Sequence, residues 1–463
     1  MAKHIKLNIK KKLRIQIRPS NKATVHGGQL STIALLNESG LINLIKQYPA
    51  LDPRTNKNHG FEPDVYLTVF LVGLASGGKS LADIESLNND IPLKEILGLK
   101  KIPDQSALGE WLRALGDDGW RALRQINRQF INWALKKIPK ERLLTNGRLW
   151  VFFDDTQIEV SGDKYEGAKI NYNGDLAFSF QTLWVGPFIV DGVFGATSES
   201  DQISNDVSNR LPELLEENHD IWKDYLTHFF ADSASSSGYY LGLVEKHFTN
   251  WSVSYNRWDK PLNRLAQKLP QWVWSEPKEI QLKNNKKAQV QYCWMRYQPS
   301  GCEKPREFAL MRSRAEDELM WFYRFIVCDE ETAKTSAEIA FERHNLKGDY
   351  ERRFKELLDE LDLHHPACLS LVANRNFYTI VGLAYNVMQV FKYLYLSDAA
   401  LGWGIHKLIR NWLLLPAQMV RHSRFLTICL YVSEQIGKWF KEFLNKTFPQ
   451  WRLVSRTSYF GSG

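Results

Sequence analysis

Apolar and polar residues alternate with two different periods along the chain, and the changes of period divide it into regions. Residues 5–17 alternate strictly, with apolar side chains on one face and lysines or arginines on the other, which predicts a strand. The basic face is either the lysine-protected side of an edge strand or a surface that touches DNA phosphates. From 31 to 146, apolar residues recur at spacings of three and four, which predicts helices. Ser106 is the expected N-cap of one of them.

Strand-like segments replace the helical pattern between 147 and 255. They are LWVFFDD, LAFSFQTLWVG, FIVDGVFG, LTHFFADS and WSVSY, with one helical segment between the last two. This pattern predicts an α/β region with helices against a sheet. Residues 256–325 read as antiparallel strands. Residues 326–396 begin with a buried strand and continue as helices, and 397–463 form a basic tail.

Composition and charge narrow the function only a little. The formal charge of +8 permits nucleic-acid binding without establishing it. In the tail, lysines and arginines interleave with tryptophans, which fits either a solvated helical face or a DNA contact. The five cysteines form no CxxC pair, which argues against a zinc site and favours an intracellular protein. The longest uncharged apolar stretch, Asn376 to Phe391, is shorter than the roughly 20 residues that span a bilayer, so we expect a cytoplasmic protein without membrane contact.

Two of the predicted strands end in carboxylates. LWVFFDD ends in Asp154 and Asp155, and THFFADS has Asp232 after its apolar run. Strand ends in α/β sheets are where ligands bind. A carboxylate there either caps the next helix or holds a cation, and capping is the favoured role for each aspartate taken alone. Because successive strand residues point to opposite faces, Asp154 and Asp155 cannot both reach one site.

A third carboxylate lies in the segment HNLKGDYERRFKELLDELDLHH, which has the apolar spacing of an amphipathic helix. His344, Lys347 and Glu351 would share one face of that helix. Glu351 either pairs with Lys347 or Lys355, or it offers its carboxylate to a metal ion. Three carboxylates from two strands and a helix would suit a pair of Mg²⁺ ions about 4 Å apart, the arrangement that catalyses phosphoryl displacement.

On these motifs the chain resembles bacterial insertion-sequence transposases of the DDE class, most closely the group numbered thirteen-eighty, from about residue 28 to about 430. Ala231–Ser233 resembles the family's second-aspartate block, and HNLKGDYERRFKEL resembles its third block. ANRNFYTIVGLAYNVMQ resembles the apolar helix that follows the third block. The first-aspartate block is similar at Asp154, Thr156, Gly162, Glu166-Gly167-Ala168 and Tyr172-Asn173-Gly174. Four family positions hold other residues, namely Ser161 for histidine, His344 for tyrosine, Lys347 for arginine and Leu358 for lysine.

The resemblance implies an RNase H-like catalytic core, split at 147–255 and 326–396 by a β-rich insertion at 256–325. The flanking regions would be basic strands at 1–30, DNA-binding or dimerising helices at 31–146 and a basic helical region at 397–463. The metal ligands and catalytic residues would be Asp154, Asp232 and Glu351, which hold two Mg²⁺ ions, with Mn²⁺ as a substitute. The expected DNA-contacting side chains are His344, Lys347, Lys355, Trp272, Trp274 and Trp294, although core packing is the simpler role for any single tryptophan.

The expected activity is cleavage at the terminal inverted repeats of an insertion sequence, followed by attack of the freed 3′-hydroxyl on target DNA. The protein would act as a homodimer on double-stranded DNA, in the bacterial cytoplasm and associated with the nucleoid. Two alternatives remain at this level. One is a DNA-binding descendant without catalysis, and the other is an RNase H-like nuclease without strand transfer.

Overall fold

The structure is a computed structural model that describes residues 20–171, 173–196, 210–281, 286–422 and 425–447. The predicted basic strand at 5–17 and the tail beyond Thr447 lie outside these residues. The described part combines helices at both ends of the chain with a large mixed sheet, so the predicted α/β class is confirmed. No helix within the described ranges is long and apolar enough to cross a membrane.

Helices fill the N-terminal region, as the three-and-four spacing predicts. They follow a short strand, β1 (Ala23–Thr24), and are α1 (Gln29–Glu38), α2 (Leu41–Ile45), α3 (Pro63–Ala75), α4 (Leu81–Ser86), α5 (Ile91–Leu97), α6 (Gln105–Ala114), α7 (Gly116–Lys137) and α8 (Lys140–Leu143). The N-cap predicted at Ser106 is wrong, because Asp104 precedes α6 and its carboxylate accepts the N–H of Ala107. Ser106 therefore lies inside the first turn.

The strands predicted between 147 and 255 form one half of the sheet. The elements are β2 (Leu149–Glu159), β3 (Lys169–Ile170), β4 (Leu176–Val185), β5 (Phe188–Ala196), α9 (Leu211–Trp222), β6 (Thr227–Ala231), α10 (Gly238–His247) and β7 (Trp251–Tyr255). Strands β5, β4 and β2 are antiparallel neighbours, whereas β2, β6 and β7 run parallel. Residues 149–153 of β2 are all buried, which explains their uninterrupted apolar run.

The β-rich segment extends this same sheet. After α11 (Lys260–Lys268), its strands are β8 (Lys278–Gln281), β9 (Lys287–Tyr297), β10 (Arg306–Ala315) and β11 (Phe322–Cys328). Strand β11 pairs antiparallel with β7, and β10, β9 and β8 follow in order. The segment read as antiparallel strands is therefore continuous with the central strands through backbone hydrogen bonds.

The C-terminal region begins with helices and ends beside the N-terminus. Its elements are α12 (Glu330–Ala333), α13 (Ala337–Asn345), α14 (Gly348–Glu360), α15 (Leu371–Tyr395), α16 (Asp398–Leu401), α17 (Ile405–Leu408), a π-helical turn (Ile409–Leu413), β12 (Ala417–His422), β13 (Phe425–Leu430) and α18 (Glu434–Thr447). Strand β12 pairs with both β1 and β13, so the two ends of the described chain share a small sheet.

Helix α15 lies at the centre of the molecule. It packs on β5 and against the N-terminal helices α3, α6 and α7, and almost its whole length is buried. Polar side chains satisfy the free edge of β5, because the Asn386 amide exchanges hydrogen bonds with the backbone of Ile189 and the Asn127 amide donates to the same carbonyl. The helical regions and the sheet thus share one core.

Candidate active site

Asp154 lies in the middle of β2, directly after the buried residues 149–153. Its Oδ1 accepts the backbone N–H of Asp155 at 2.9 Å. Part of the side chain remains accessible, but burial of the carboxyl group, together with the neighbouring Asp232 carboxylate, raises the pKa of Asp154 to about 8. It forms no ion pair within the described residues, so its charge is poorly compensated.

Asp155 has a different environment, as alternation along the strand predicts. Its carboxylate accepts hydrogen bonds from the Ser179 hydroxyl at 2.5 Å and from the Gln157 amide at 2.8 Å. Burial raises the pKa of Asp155 to about 6, and Asp232 makes no contribution to that rise. Asp154 is therefore the member of the pair that shares a site with Asp232.

Asp232 follows β6 directly, and the parallel pairing explains its position. Phe153 is the partner of Ala231 in the β2–β6 ladder, so the next residues, Asp154 and Asp232, are neighbours. Strand β2 continues past Asp154 to Glu159, so the strand end predicted there is wrong, whereas β6 does end directly before Asp232. The Asp232 side chain is about half exposed, at 48%. Its carboxylate makes no capping hydrogen bond to the short helix that follows. Helix capping, the simple alternative for this aspartate, is absent.

Glu351 lies in the first turn of α14, which two aromatic residues hold against the sheet. The ring centroids of Tyr350 and Phe152 are 4.9 Å apart, and those of Phe354 and Trp184 are 6.1 Å apart. This packing turns the opposite face of the helix, with Glu351, toward solvent, where its side chain is 58% exposed.

A single ammonium group lies among the three carboxylates. Lys347 donates a very short hydrogen bond to Asp232 Oδ1, and its Nζ is 3.8 Å from Glu351 Oε1. Its charge also opposes the rise in the pKa of Asp154. The Lys347 side chain is only 13% exposed, so the cation is enclosed within the site.

The arrangement suits a cation of hard character. Within the described residues, no three histidine, cysteine or carboxylate side chains are already placed to hold a metal ion. The donors are nevertheless carboxylate oxygens, which Mg²⁺ prefers, and Asp154 is a crowded carboxyl beside a second one. The Lys347 ammonium supplies the positive charge between Asp232 and Glu351. It must turn away before a metal ion could take that position.

The prediction that His344 contacts DNA disagrees with the structure. His344 is 1% exposed, and both of its ring nitrogens are hydrogen bonded to serine side chains. The prediction that His344, Lys347 and Glu351 share one helical face is also wrong, because α13 ends at Asn345 and α14 begins at Gly348. The break lies at residues 346–347, directly before Gly348, and glycine has the lowest helix propensity after proline.

The other predicted DNA contacts separate by exposure. Lys355 is 76% exposed, with its Nζ 4.0 Å from Asp359, so it is free to meet a phosphate. Trp272 is 84% exposed. By contrast, Trp274 is buried under the Arg312 guanidinium, and the Trp294 ring N–H donates to the Thr335 carbonyl. Of the three tryptophans, only Trp272 is largely exposed and so accessible to a base.

Two residues of the first-aspartate block have structural roles that the sequence did not reveal. The Glu166 carboxylate accepts the N–H of Leu371 at the start of α15. Gly167 has a φ of +81°, and a Cβ there would lie 2.7 Å from Leu371 Cδ2. Glu166 and Gly167 therefore hold the start of α15 against the loop after β2. The residues in contact are about 200 positions apart, so the periodicity of the sequence cannot reveal this contact.

One comparison with known proteins bears on this site. A family model described as Transposase DDE domain group 1 matches residues 7–448, nearly the whole chain. The matched range contains Asp154, Asp232 and Glu351. No curated protein matches the chain.

Proposed function

Because the chain belongs to the family of DDE-domain transposases, we propose that it moves an insertion sequence, of the group numbered thirteen-eighty. It binds the terminal inverted repeats of the element, cleaves the strand at each end and joins the freed 3′-hydroxyl to target DNA. The observation that carries this proposal is that Asp154, within β2, lies beside Asp232, directly after the parallel strand β6, with Glu351 nearby and one ammonium group among them.

The strand order supports an RNase H-like core for this activity. The order β5-β4-β2-β6-β7, with three antiparallel strands followed by two parallel ones, places the first two carboxylates on the central pair. Strands β8 to β11 then correspond to the insertion between Asp232 and Glu351. A rigid sheet is the appropriate support, because the spacing of the ligands decides where bound ions lie.

Asp154, Asp232 and Glu351 would hold two Mg²⁺ ions, for which Mn²⁺ can substitute. Such ions supply stabilisation of both the attacking and the leaving oxygen during phosphoryl displacement. Lys347 would give up its pairing with Asp232 and neutralise the phosphate near the scissile bond. Lys binds phosphate as a point charge, without the bidentate geometry of arginine.

The remaining DNA contacts would come from exposed side chains. Lys355 lies one turn beyond Glu351 on α14 and would reach the adjacent backbone. Trp272 would stack on an unpaired base, a contact worth about 1–3 kcal/mol. The basic segments 1–30 and 397–463 and the helices between 31 and 146 would recognise the repeats and form a homodimer, in the bacterial cytoplasm at the nucleoid.

The test is incubation of the protein with duplexes that carry the ends of the flanking element, with Mg²⁺, and mapping of the cut positions. A pre-cut end and a supercoiled plasmid then test joining. We expect cleavage at the element boundary and a joined product, both lost in Glu351→Gln. Binding without cleavage would identify an inactive DNA-binding descendant, and cleavage without joining would identify a nuclease.

A further inference from the structure

A chain of four polar side chains, three of them buried, links the strand beside Asp232 to the end of α13. His228 Nε2 is 3.3 Å from Ser252 Oγ, Ser252 Oγ is 2.9 Å from His344 Nδ1, and His344 Nε2 is 2.8 Å from Ser254 Oγ. His228, Ser252 and His344 are each less than 5% exposed. These three buried residues cannot touch DNA in this arrangement, so the proposed chemistry gives them no direct role.

The geometry points to His344 as a positioning residue for Lys347 and Glu351, an inference that rests on the proposed transposase activity. The imidazole ties the end of α13 to β7, the strand beside the one that carries Asp232 at its end. In the β6–β7 ladder Ala231 pairs with Val253, so Ser254 stands next to Asp232.

The link from the ring to the site runs through the backbone. The His344 carbonyl accepts the N–H of Lys347 at 3.1 Å, and the Lys347 carbonyl accepts the N–H of Glu351 at 3.2 Å. A rotation of the α13–α14 junction would therefore move both side chains relative to Asp232. Because both ring nitrogens of His344 are hydrogen bonded, the ring restrains the rotation of the junction as well as the distance between α13 and β7.

A neutral histidine is the residue type that this role needs. In the neutral ring one nitrogen donates and the other accepts, and a serine hydroxyl can do either. Burial, together with the nearby Lys347 charge, holds the pKa of His344 well below its ordinary value. A tyrosine or phenylalanine would fill the space but could not bridge two serines on one strand.

The test compares His344→Phe and Ser254→Ala with the exposed control His365→Phe, using element-end DNA. The readouts are the single-turnover cleavage rate, the DNA affinity with its salt dependence, and the affinity for Mn²⁺ measured without DNA. We expect the first two variants to lose roughly 10- to 100-fold in rate, as misplaced catalytic groups do. The dependence of their DNA affinity on salt concentration, the salt slope, should equal that of the wild type. Lys347→Gln should reduce this slope by the amount expected for the loss of about one phosphate contact.

Ser254→Ala removes only one hydroxyl, so it still tests the positioning role of His344 if His344→Phe does not fold. In the double variant the two rate losses should not multiply, because they break the same contact. A reduced salt slope in His344→Phe would show a phosphate contact and overturn the inference, as would a full cleavage rate in both variants.

Failure of the proposed function gives a different result. If the wild type binds Mn²⁺ but cleaves no DNA, the transposase proposal is wrong. The positioning role of His344 is then still tested by the Mn²⁺ affinity of the variants measured without DNA. Misplacement of Glu351 should then weaken Mn²⁺ binding by roughly tenfold in His344→Phe, within the usual range for a supporting contact. An unchanged Mn²⁺ affinity would overturn the positioning role, whatever the activity.

Discussion

Asp154→Asn should make the metal-free protein more stable while it abolishes cleavage. The folded pKa of Asp154, about 8, lies above its ordinary value of 3.8. The folded protein therefore holds this proton to a higher pH than the unfolded chain. Stability is lost progressively as the pH rises from the unfolded value to the folded one, because the crowded carboxyl must ionise beside Asp232. Asparagine has the same shape and never carries the charge.

The magnitude follows from the two pKa values. At 1.36 kcal/mol per unit, the full shift would cost the wild type about 5 kcal/mol at pH 8 and under about 2 kcal/mol at pH 5. The Asp154 side chain keeps partial access to water, so we expect about half of these values. The asparagine variant should thus gain about 2–3 kcal/mol at pH 8 and about 1 kcal/mol at pH 5.

Asp155→Asn is the matched control on the next residue. Loss of the charge would stabilise the fold, but the asparagine side chain has one acceptor oxygen for the two groups, the Ser179 hydroxyl and the Gln157 amide, that now donate to the Asp155 carboxylate. That mismatch costs about 1–3 kcal/mol, which offsets the gain. We expect nearly unchanged stability at pH 8 and retained cleavage.

The assay is urea unfolding of both variants and the wild type at several pH values in EDTA, with cleavage measured in parallel. Added Mg²⁺ should stabilise the wild type and Asp155→Asn, but not Asp154→Asn. The reasoning is refuted if Asp154→Asn is less stable than the wild type at pH 8 in EDTA. It is also refuted if its gain does not grow between pH 5 and pH 8.

Four further substitutions test other parts of the structure. Arg124→Ala would leave the buried Asp191 carboxylate without its guanidinium partner and should cost about 3–5 kcal/mol in urea unfolding, and a loss below 1 kcal/mol would contradict this. Glu166→Ala removes the carboxylate that accepts the first N–H of α15 and should cost about 1 kcal/mol, with Glu159→Ala on the exposed end of β2 as its neutral control. Trp272→Ala should lower cleavage of paired ends without a change in melting temperature. Trp274→Ala should destabilise the fold by about 3–5 kcal/mol. Equal melting temperatures of the two variants would refute the assignment of Trp272 to DNA contact and Trp274 to the core.

The sequence predicted those features that depend on local period. The alternation of β2 separated Asp154 from Asp155, and the apolar run before Asp232 placed that residue at a strand end. The mixed α/β class and the helical ends followed from the same patterns. Strand pairing between β2 and β6 then supplies what the period alone could not, namely that Asp154, within β2, lies beside Asp232, at the end of β6.

The features that the sequence did not predict depend on contacts between distant segments. His344 has the spacing of a surface residue on a long helix, yet Ser252 and Ser254, about 90 positions earlier, take it into the interior. Their spacing of two in WSVSY was a signal for one strand face, but it did not name a partner. Trp272 and Trp274 differ in the same way, because the distant residues Arg312 and Tyr323 pack on the Trp274 ring.

The three carboxylates differ in how firmly the fold holds them. Asp154 lies in β2 and Asp232 directly follows β6, so the β2–β6 ladder restrains the separation of their backbones. Glu351 depends instead on side-chain packing of α14 and on the junction at Lys347. Side-chain packing yields more easily than a ladder of backbone hydrogen bonds. The position of Glu351 is therefore the adjustable part of the site, and substitutions that loosen α14 should alter metal binding more than equal losses of stability elsewhere.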